Sequence, residues 1–302
     1  MKILLTGANG YIGARLIPAL LEQGHEVVCL VRDKKLFEKQ SIYAGQVTIV
    51  TGDLLRSHSM QPLPYNIEAA YYLVNALPQT SGFAGLEALS AENFVQAVDQ
   101  TACKQIISLS EIDDHLGEAG LSRMHVEDIL RTSNAAITIL KSTMIVGPGS
   151  IALELMEGLT KKSPVIIATN WAKAQEQPIA TCNVIDYLTG SLLNEDTFNS
   201  EFHISGPEVL TFKQMLMIYG EVCRQRKVKI VTVPQVSSAL SSYWLNYLTP
   251  ISYSHAKTLV ENLKFDLVSR DNAIQRIIPM QLLPLKEALL QSTPVNGVQN
   301  LN

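Results

Sequence analysis

Cysteine is scarce and scattered. The four thiols, Cys29, Cys103, Cys182 and Cys223, stand far apart with no C-x-x-C pair. This argues against a disulfide framework or a thiolate metal site and fits a reducing compartment. Charge is also thin: Asp, Glu, Lys and Arg make up 17% of the 302 residues, where ordinary soluble domains carry about 25%. The formal net charge is −4, and the basic clusters at 32–35 and 224–229 are short, so nucleic acid is not expected as a partner. No apolar run reaches the ~18 residues of a membrane span. The opening apolar run meets Gly7 and Asn9 too soon to be the core of a secretory signal. The expectation is a cytoplasmic protein without membrane insertion.

What is present is ordinary apolar content, 47% of the chain, in a length that allows about two domains and buries about three quarters of the unfolded surface. Short apolar runs at 2–6, 26–31, 47–51, 70–74, 105–110 and 136–141 read as strands. Their near-continuous hydrophobicity suits strands covered on both faces. Amphipathic stretches at 11–23, 86–100 and 122–132 lie between them. This alternation predicts an α/β fold, a doubly wound parallel sheet of Rossmann type. After Gly147-Pro148-Gly149 the strict rhythm stops. Strands at 165–168 and 228–233 suggest a smaller unit, with a helix at 183–194 and a strand at 201–205 returning to the sheet. The expected division is a dinucleotide-binding domain over 1–150, with return segments near 179–206, and a smaller C-terminal substrate or cover domain over 151–302, largely helical beyond 235.

The sharpest motif is TGANGYIG at 6–13, between a predicted strand and a predicted helix. In such a turn Gly7 permits the tight bend, Gly10 lets backbone N–H groups approach a pyrophosphate, and Gly13 lets the helix pack on the strand. Asn9, Tyr11 and Ile12 complete the turn, and the helix N-terminus favours the anion. An NAD site would place an acid at the end of the second strand to hold the ribose. That position is Val31, and Arg32 follows it. Valine cannot bond a 2′-hydroxyl, whereas arginine forks onto a 2′-phosphate. The cofactor expected is therefore NADP, with NAD second. A surface Arg32 paired with Asp33, or Asp33 itself turned to the ribose, stays open. Asp53 and Leu54, after the third strand, are candidates for contact with the adenine, and a turn-capping Asp53 is the alternative.

The pattern TGANGYIG, VRD at 31–33, GDL at 52–54 and ITILKSTMIVGPGS at 137–150 resembles the short-chain dehydrogenase/reductase superfamily. QPIATCNVIDYL at 177–188 and FHISGPEVLTF at 202–212 bring it close to the atypical, NmrA-like branch with NAD-dependent epimerase/dehydratase-like members. The resemblance spans about 2–290. It implies that Gly7, Gly10, Gly13, Arg32 and Asp53 line the cofactor and that Asn75 and Ala76 lie near its ribose and nicotinamide. It also puts Ser108 and Ser110 where the family carries an active-site serine, and matches Asn93 to a helix residue that orders a water. Family members often pair through the helices flanking the sheet, which leaves a homodimer open.

One expected element is missing. Family members carry Tyr-x-x-x-Lys on the helix after the fifth strand, where the i, i+4 spacing puts both on one face and the lysine lowers the tyrosine pKa for proton transfer. Aligned through Val126-Glu127, those positions hold Ala119 and Arg123. A methyl group donates no proton, and arginine is no base at neutral pH. Ser110, Glu111, His115 and His125 are the candidate replacements, with Ser110 and Arg123 the favoured catalytic pair. No metal site is expected; the acids Asp113 and Asp114 beside His115 read as a solvated loop. Tyr243, Trp244 and Tyr247 could roof a substrate pocket or simply pack, Trp171 could face a cleft, and Met215, Met217 and Met280 read as gap-fillers. Two functions follow. One is an NAD(P)-dependent oxidoreductase or epimerase/dehydratase-like enzyme on a small molecule. The other is a non-catalytic NADP(H)-binding sensor or scaffold.

Overall fold

The computed structural model describes residues 1–74, 83–112, 118–161, 165–168, 170–232, 265–269 and 271–292. The candidates Asn75, Ala76, Asp113, Asp114, His115, Tyr243, Trp244 and Tyr247 lie outside the described residues, as do the side chains of Ala119 and Trp171. Contacts divide the chain into two units. The first comprises Met1–Lys141, Ile185–His203 and Asn272–Pro279; the second comprises Ser142–Val184, Ile204–Asp271 and Met280–Asn302.

The first unit is a doubly wound parallel α/β sheet of Rossmann type. Its strands are β1 (Lys2–Thr6), β2 (Glu26–Val31), β3 (Thr48–Thr51), β4 (Ala69–Tyr72), β5 (Gln105–Glu111), β6 (Ala136–Ser142) and β11 (Ser200–Ile204). They lie in the order β11-β6-β5-β4-β1-β2-β3. β1 runs parallel to β2 and to β4, β2 to β3, and β4 to β5. The order therefore reverses between β1 and β4, and such a switch point opens a crevice at the strand C-terminal ends. All four residues of β4 and five of the six in β2 are buried, as a sheet covered on both faces requires.

Helix α1 (Tyr11–Glu22) buries Leu16, Ile17 and Leu20 at helical spacing. Gly24, at φ 78°, ends it. Its N–H donates to Leu21 O at 2.9 Å and that of His25 to Leu20 O at 3.1 Å, the paired bonds of a Schellman stop. Helix α2 (Lys34–Gln40) was not evident from periodicity, being short. It starts where Asp33 caps the Leu36 N–H at 3.0 Å. Helices α3 (Phe83–Val98) and α4 (Glu118–Leu130) pack on each other beyond β4 and β5.

The second unit has its own core, in which α5 (Ile151–Lys161) and α7 (Phe212–Arg224) supply Leu155, Met156, Phe212 and Leu216. The expected strands at 165–168 and 228–233 form one parallel pair, β8 (Val165–Ala168) with β13 (Lys229–Thr232). The expected helix at 183–194 is shorter and earlier, α6 (Thr181–Gly190). Beyond it, Leu193 and Asn199 take positive φ, so the chain turns where the apolar pattern alone read on. Met215 is in the core, but Met217 is 47% exposed and corrects the gap-filler reading: the two lie two residues apart and so face different ways on α7. Short helices α8 (Ala273–Ile277) and α9 (Leu285–Ser292) close the described chain. None of the described helices is long and apolar enough to cross a membrane.

A buried amide fastens the first unit behind its sheet. Gln105 is fully buried at the start of β5. Its Nε2 donates to Thr138 Oγ1 at 2.8 Å and Ser191 O at 2.9 Å, and its Oε1 accepts from the Leu193 N–H. Gln105→Leu keeps the volume but strands those groups away from water. It is expected to cost about 2–4 kcal/mol in denaturant unfolding; a change below about 0.5 kcal/mol would contradict this role.

Candidate functional site

Between β1 and α1 the backbone bends back on itself. Gly7 sits at φ 70°, where a side chain is strained. A Cβ there would lie 2.4 Å from Leu73 O, and a Cβ on Gly13 would lie 2.2 Å from Gly7 O. Gly7 is thus fixed by contact with Leu73, just beyond β4, and Gly13, in α1, by contact with the backbone of Gly7 and Ala8. The Gly10 N–H donates to Gly7 O at 2.8 Å, and Gly10 stands at the N-cap of α1 with no side chain capping the helix. Thr6 stitches the same spot, donating its hydroxyl to Tyr71 O at 2.9 Å and accepting from the Leu73 N–H at 3.2 Å. The N-cap of α1 is thus a glycine with no side chain of its own to cap the helix, and a helix N-terminus of this kind suits an anion.

A cavity of about 860 Å³ opens there, lined within the first unit. Of the sequence candidates, Gly7, Asn9, Gly10, Arg32, Asp53 and Leu54 line one part of it, and Ser110 and Arg123 another. Tyr11, Ile12 and Gly13 begin α1 behind the turn rather than lining the cavity. Tyr11 lies with its ring 3.9 Å from the Arg15 guanidinium.

On the β2–β3 side, Val31 is buried at the strand end and Arg32 is exposed. Asp33 is engaged by the α2 cap, Lys34 pairs with Glu38 at 3.7 Å, and among the described residues Arg32 makes no ion pair. No Arg32–Asp33 pair is formed among the described residues, and the Asp33 carboxylate caps α2. Asp53 does cap its turn, accepting from the Leu55 N–H at 3.0 Å, and lines the cavity as well. The Asn93 amide donates to Leu54 O at 2.6 Å; it ties α3 to this wall directly.

On the β4–β5 side the wall is polar. Ser108 and Ser110 are buried at the end of β5. Arg123, on α4, pairs with Glu111 at 2.8 Å. His125 is exposed and away from the cavity, because it lies two residues round the helix from Arg123. The cavity does hold a tyrosine, Tyr72, but burial pushes its pKa up to about 12 and its hydroxyl donates to Ser90 Oγ at 3.3 Å. It is the reverse of the activated acid that the Tyr-x-x-x-Lys pair makes. Sequence reasoning missed Glu127, a buried carboxylate on the cavity wall, 3.0 Å from Lys141. Its signal was the i, i+4 spacing from Arg123. Burial alone would lower the Lys141 pKa, but hydrogen bonds and charge from Glu201 and Glu127 outweigh it and hold that pKa raised. Among the described residues no group of His, Cys, Asp and Glu is arranged to hold a metal.

An uncapped helix end, two glycines packed against backbone and a long cavity across the switch point define a dinucleotide-binding α/β protein. A family model described as NAD(P)H-binding matches residues 7–161. The chain belongs to that family, an atypical branch of the short-chain dehydrogenases/reductases.

Over 194 residues the chain is 27% identical to the photosystem II assembly factor Ycf39 of Synechocystis, covering 62% of this chain and 56% of that protein. Over 168 residues it is 24% identical to a ceramide reductase of Caulobacter vibrioides, covering 54% and 52%. The chain thus spans about half the length of these two relatives. The fold is shared with triphenylmethane reductase of Citrobacter sp. complexed with NADP(H), with TM-score 0.77, 19% identity and coverage of 97% and 100%. It is shared also with UDP-glucuronic acid 4-epimerase of Bacillus cereus in complex with NAD, with TM-score 0.62, 18% identity and coverage of 87% and 99%.

Gly7→Ala forces a side chain into the Leu73 carbonyl at positive φ. The variant is expected to lose about 1–3 kcal/mol of stability and to show a smaller rise in melting temperature with NAD(P)H than the wild type; a variant that melts and responds like the wild type would refute the close-packed turn.

Proposed function

We propose that the protein is an NADP(H)-dependent oxidoreductase of the atypical short-chain type, acting on a small molecule. One observation carries the choice of coenzyme: Val31 fills the position an NAD site gives to an acid, and beside it Arg32 stands exposed without an ion pair among the described residues. A guanidinium there matches the geometry of a 2′-phosphate. The N-terminus of α1, with Gly7, Asn9 and Gly10, holds the diphosphate, while Asp53 and Leu54 border the adenine. Asn75, by resemblance, reaches the ribose. The coenzyme supplies hydride chemistry when bound. This chain's own residues on the β4–β5 side then orient a substrate: Ser110 offers a hydroxyl, and Arg123, held by Glu111, gives a fixed positive charge. Epimerase- or dehydratase-like chemistry uses the same wall and stays within this proposal.

A second reading has specific support. Ala119 stands where the family carries its tyrosine, and relatives at this level of identity include photosystem II assembly factors. A protein that holds NADP(H) as a sensor or scaffold needs the glycine turn and Arg32 but no proton donor. A panel of carbonyl and quinone acceptors separates the two: acceptor-dependent NADPH oxidation that Ser110→Ala reduces favours the enzyme, and bound but unconsumed NADPH favours the scaffold.

The coenzyme assignment is checked by calorimetry on Arg32→Ala. NADPH affinity is expected to fall about 10- to 100-fold, the equivalent of one hydrogen-bonded charge contact, with NADH affinity unchanged. A variant that loses NADH affinity alone would reverse the assignment.

A further inference from the structure

The β4–β5 wall carries an acceptor that has no donor among the described residues. Glu127 is only 6% exposed and lines the cavity. Its Oε2 lies 3.0 Å from Lys141 Nζ, whereas its Oε1 is buried and accepts no hydrogen bond from the described residues. Buried carboxylate oxygens rarely stay unsatisfied, because each has given up its water.

Neighbouring cations are already engaged. Lys141 also binds Glu201 at 2.7 Å, Arg131 binds Glu201 at 3.2 Å, and Arg123 binds Glu111 at 2.8 Å. The chain Glu127, Lys141, Glu201, Arg131 alternates in sign and sums to zero. Glu127 therefore offers a strong acceptor without adding net negative charge beside a diphosphate.

Topology says which part of a dinucleotide meets it. The glycine turn lies at the switch between β1 and β4, Arg32 follows β2 and Asp53 follows β3. With the diphosphate at α1 and the 2′-phosphate at Arg32, the other half of the coenzyme extends over β4 and β5, toward α4. Glu127 is on that helix, one turn beyond Arg123.

We propose that Glu127 Oε1 accepts a hydrogen bond from a ribose hydroxyl on the nicotinamide side of the coenzyme, with Lys141 holding the carboxylate in place. This rests on the NADP(H) reading above. It gives the helix an acceptor for the coenzyme in a site where the expected lysine has become an ion-paired arginine.

Glu127→Gln tests it, because the amide keeps the volume and an oxygen for Lys141 but can turn a donor to the cavity. By calorimetry, NADPH affinity is expected to fall about tenfold or more, while affinity for 2′,5′-ADP, which lacks the nicotinamide half, stays that of the wild type. Unchanged NADPH affinity overturns the proposal. So does an equal loss for both ligands, which marks a purely structural acid. If the glutamine variant does not fold, Glu127→Asp keeps the charge while drawing the oxygen back, and the same pair of titrations decides. A wild type that binds neither ligand would instead remove the coenzyme reading on which the proposal rests.

Discussion

Everything in the first unit depends on backbones meeting at Gly7. The β1–α1 turn passes so close to β4 and to the first turn of α1 that a methyl group at Gly7 or Gly13 would lie 2.4 or 2.2 Å from a carbonyl oxygen. That closeness aims α1 at the point where strand order reverses. It also puts a glycine at the N-cap, with no side chain of its own to cap the helix, so an anion can take the place that Ser, Thr or Asp would otherwise fill. Thr6 holds the same junction from inside, bonding across to β4 through both its donor and its acceptor.

From that junction the cavity runs two ways, and the two walls differ in charge chemistry. The β2–β3 wall is simple: a buried valine, an available arginine, and an aspartate that already serves its own turn. The β4–β5 wall is built from groups that constrain one another. Arg123 is fixed by Glu111, Glu127 by Lys141, and Lys141 by Glu201 in turn. The usual tyrosine and lysine would make a mobile proton and a free cation there. Here the helix presents an ion-paired arginine and a buried carboxylate, and the one tyrosine on the wall among the described residues, Tyr72, is pushed away from acidity by burial.

The fold was legible because its signals are local. Apolar strands at 2–6 and 26–31 and the glycine spacing at 7, 10 and 13 each state a backbone requirement, and β1, β2 and α1 begin where those signals begin. Short pieces were not: α2 rests on a single Asp33 cap and a buried Phe37, which no periodicity announces. The end of α6 was misplaced because Leu193 continues an apolar pattern while its backbone turns at positive φ. On the site, Arg32, Asp53 and Ser110 are legible from strand ends, since a strand end fixes position almost regardless of packing, and Arg123 from its place on the helix where the family carries Tyr-x-x-x-Lys. Glu127 was passed over because, although it stands four residues from Arg123, its partner Lys141 sits on β6, and a pair formed across elements leaves no spacing of its own.

The most direct test of the central claim, that the Gly7–Gly13 turn binds a nicotinamide dinucleotide, is the melting temperature of the intact wild-type protein with and without saturating coenzyme. A ligand bound only by the folded state stabilises it by mass action. The account predicts a rise of several degrees with NADPH and a smaller one with NADH. Superimposable melting curves with either coenzyme at saturation would contradict it.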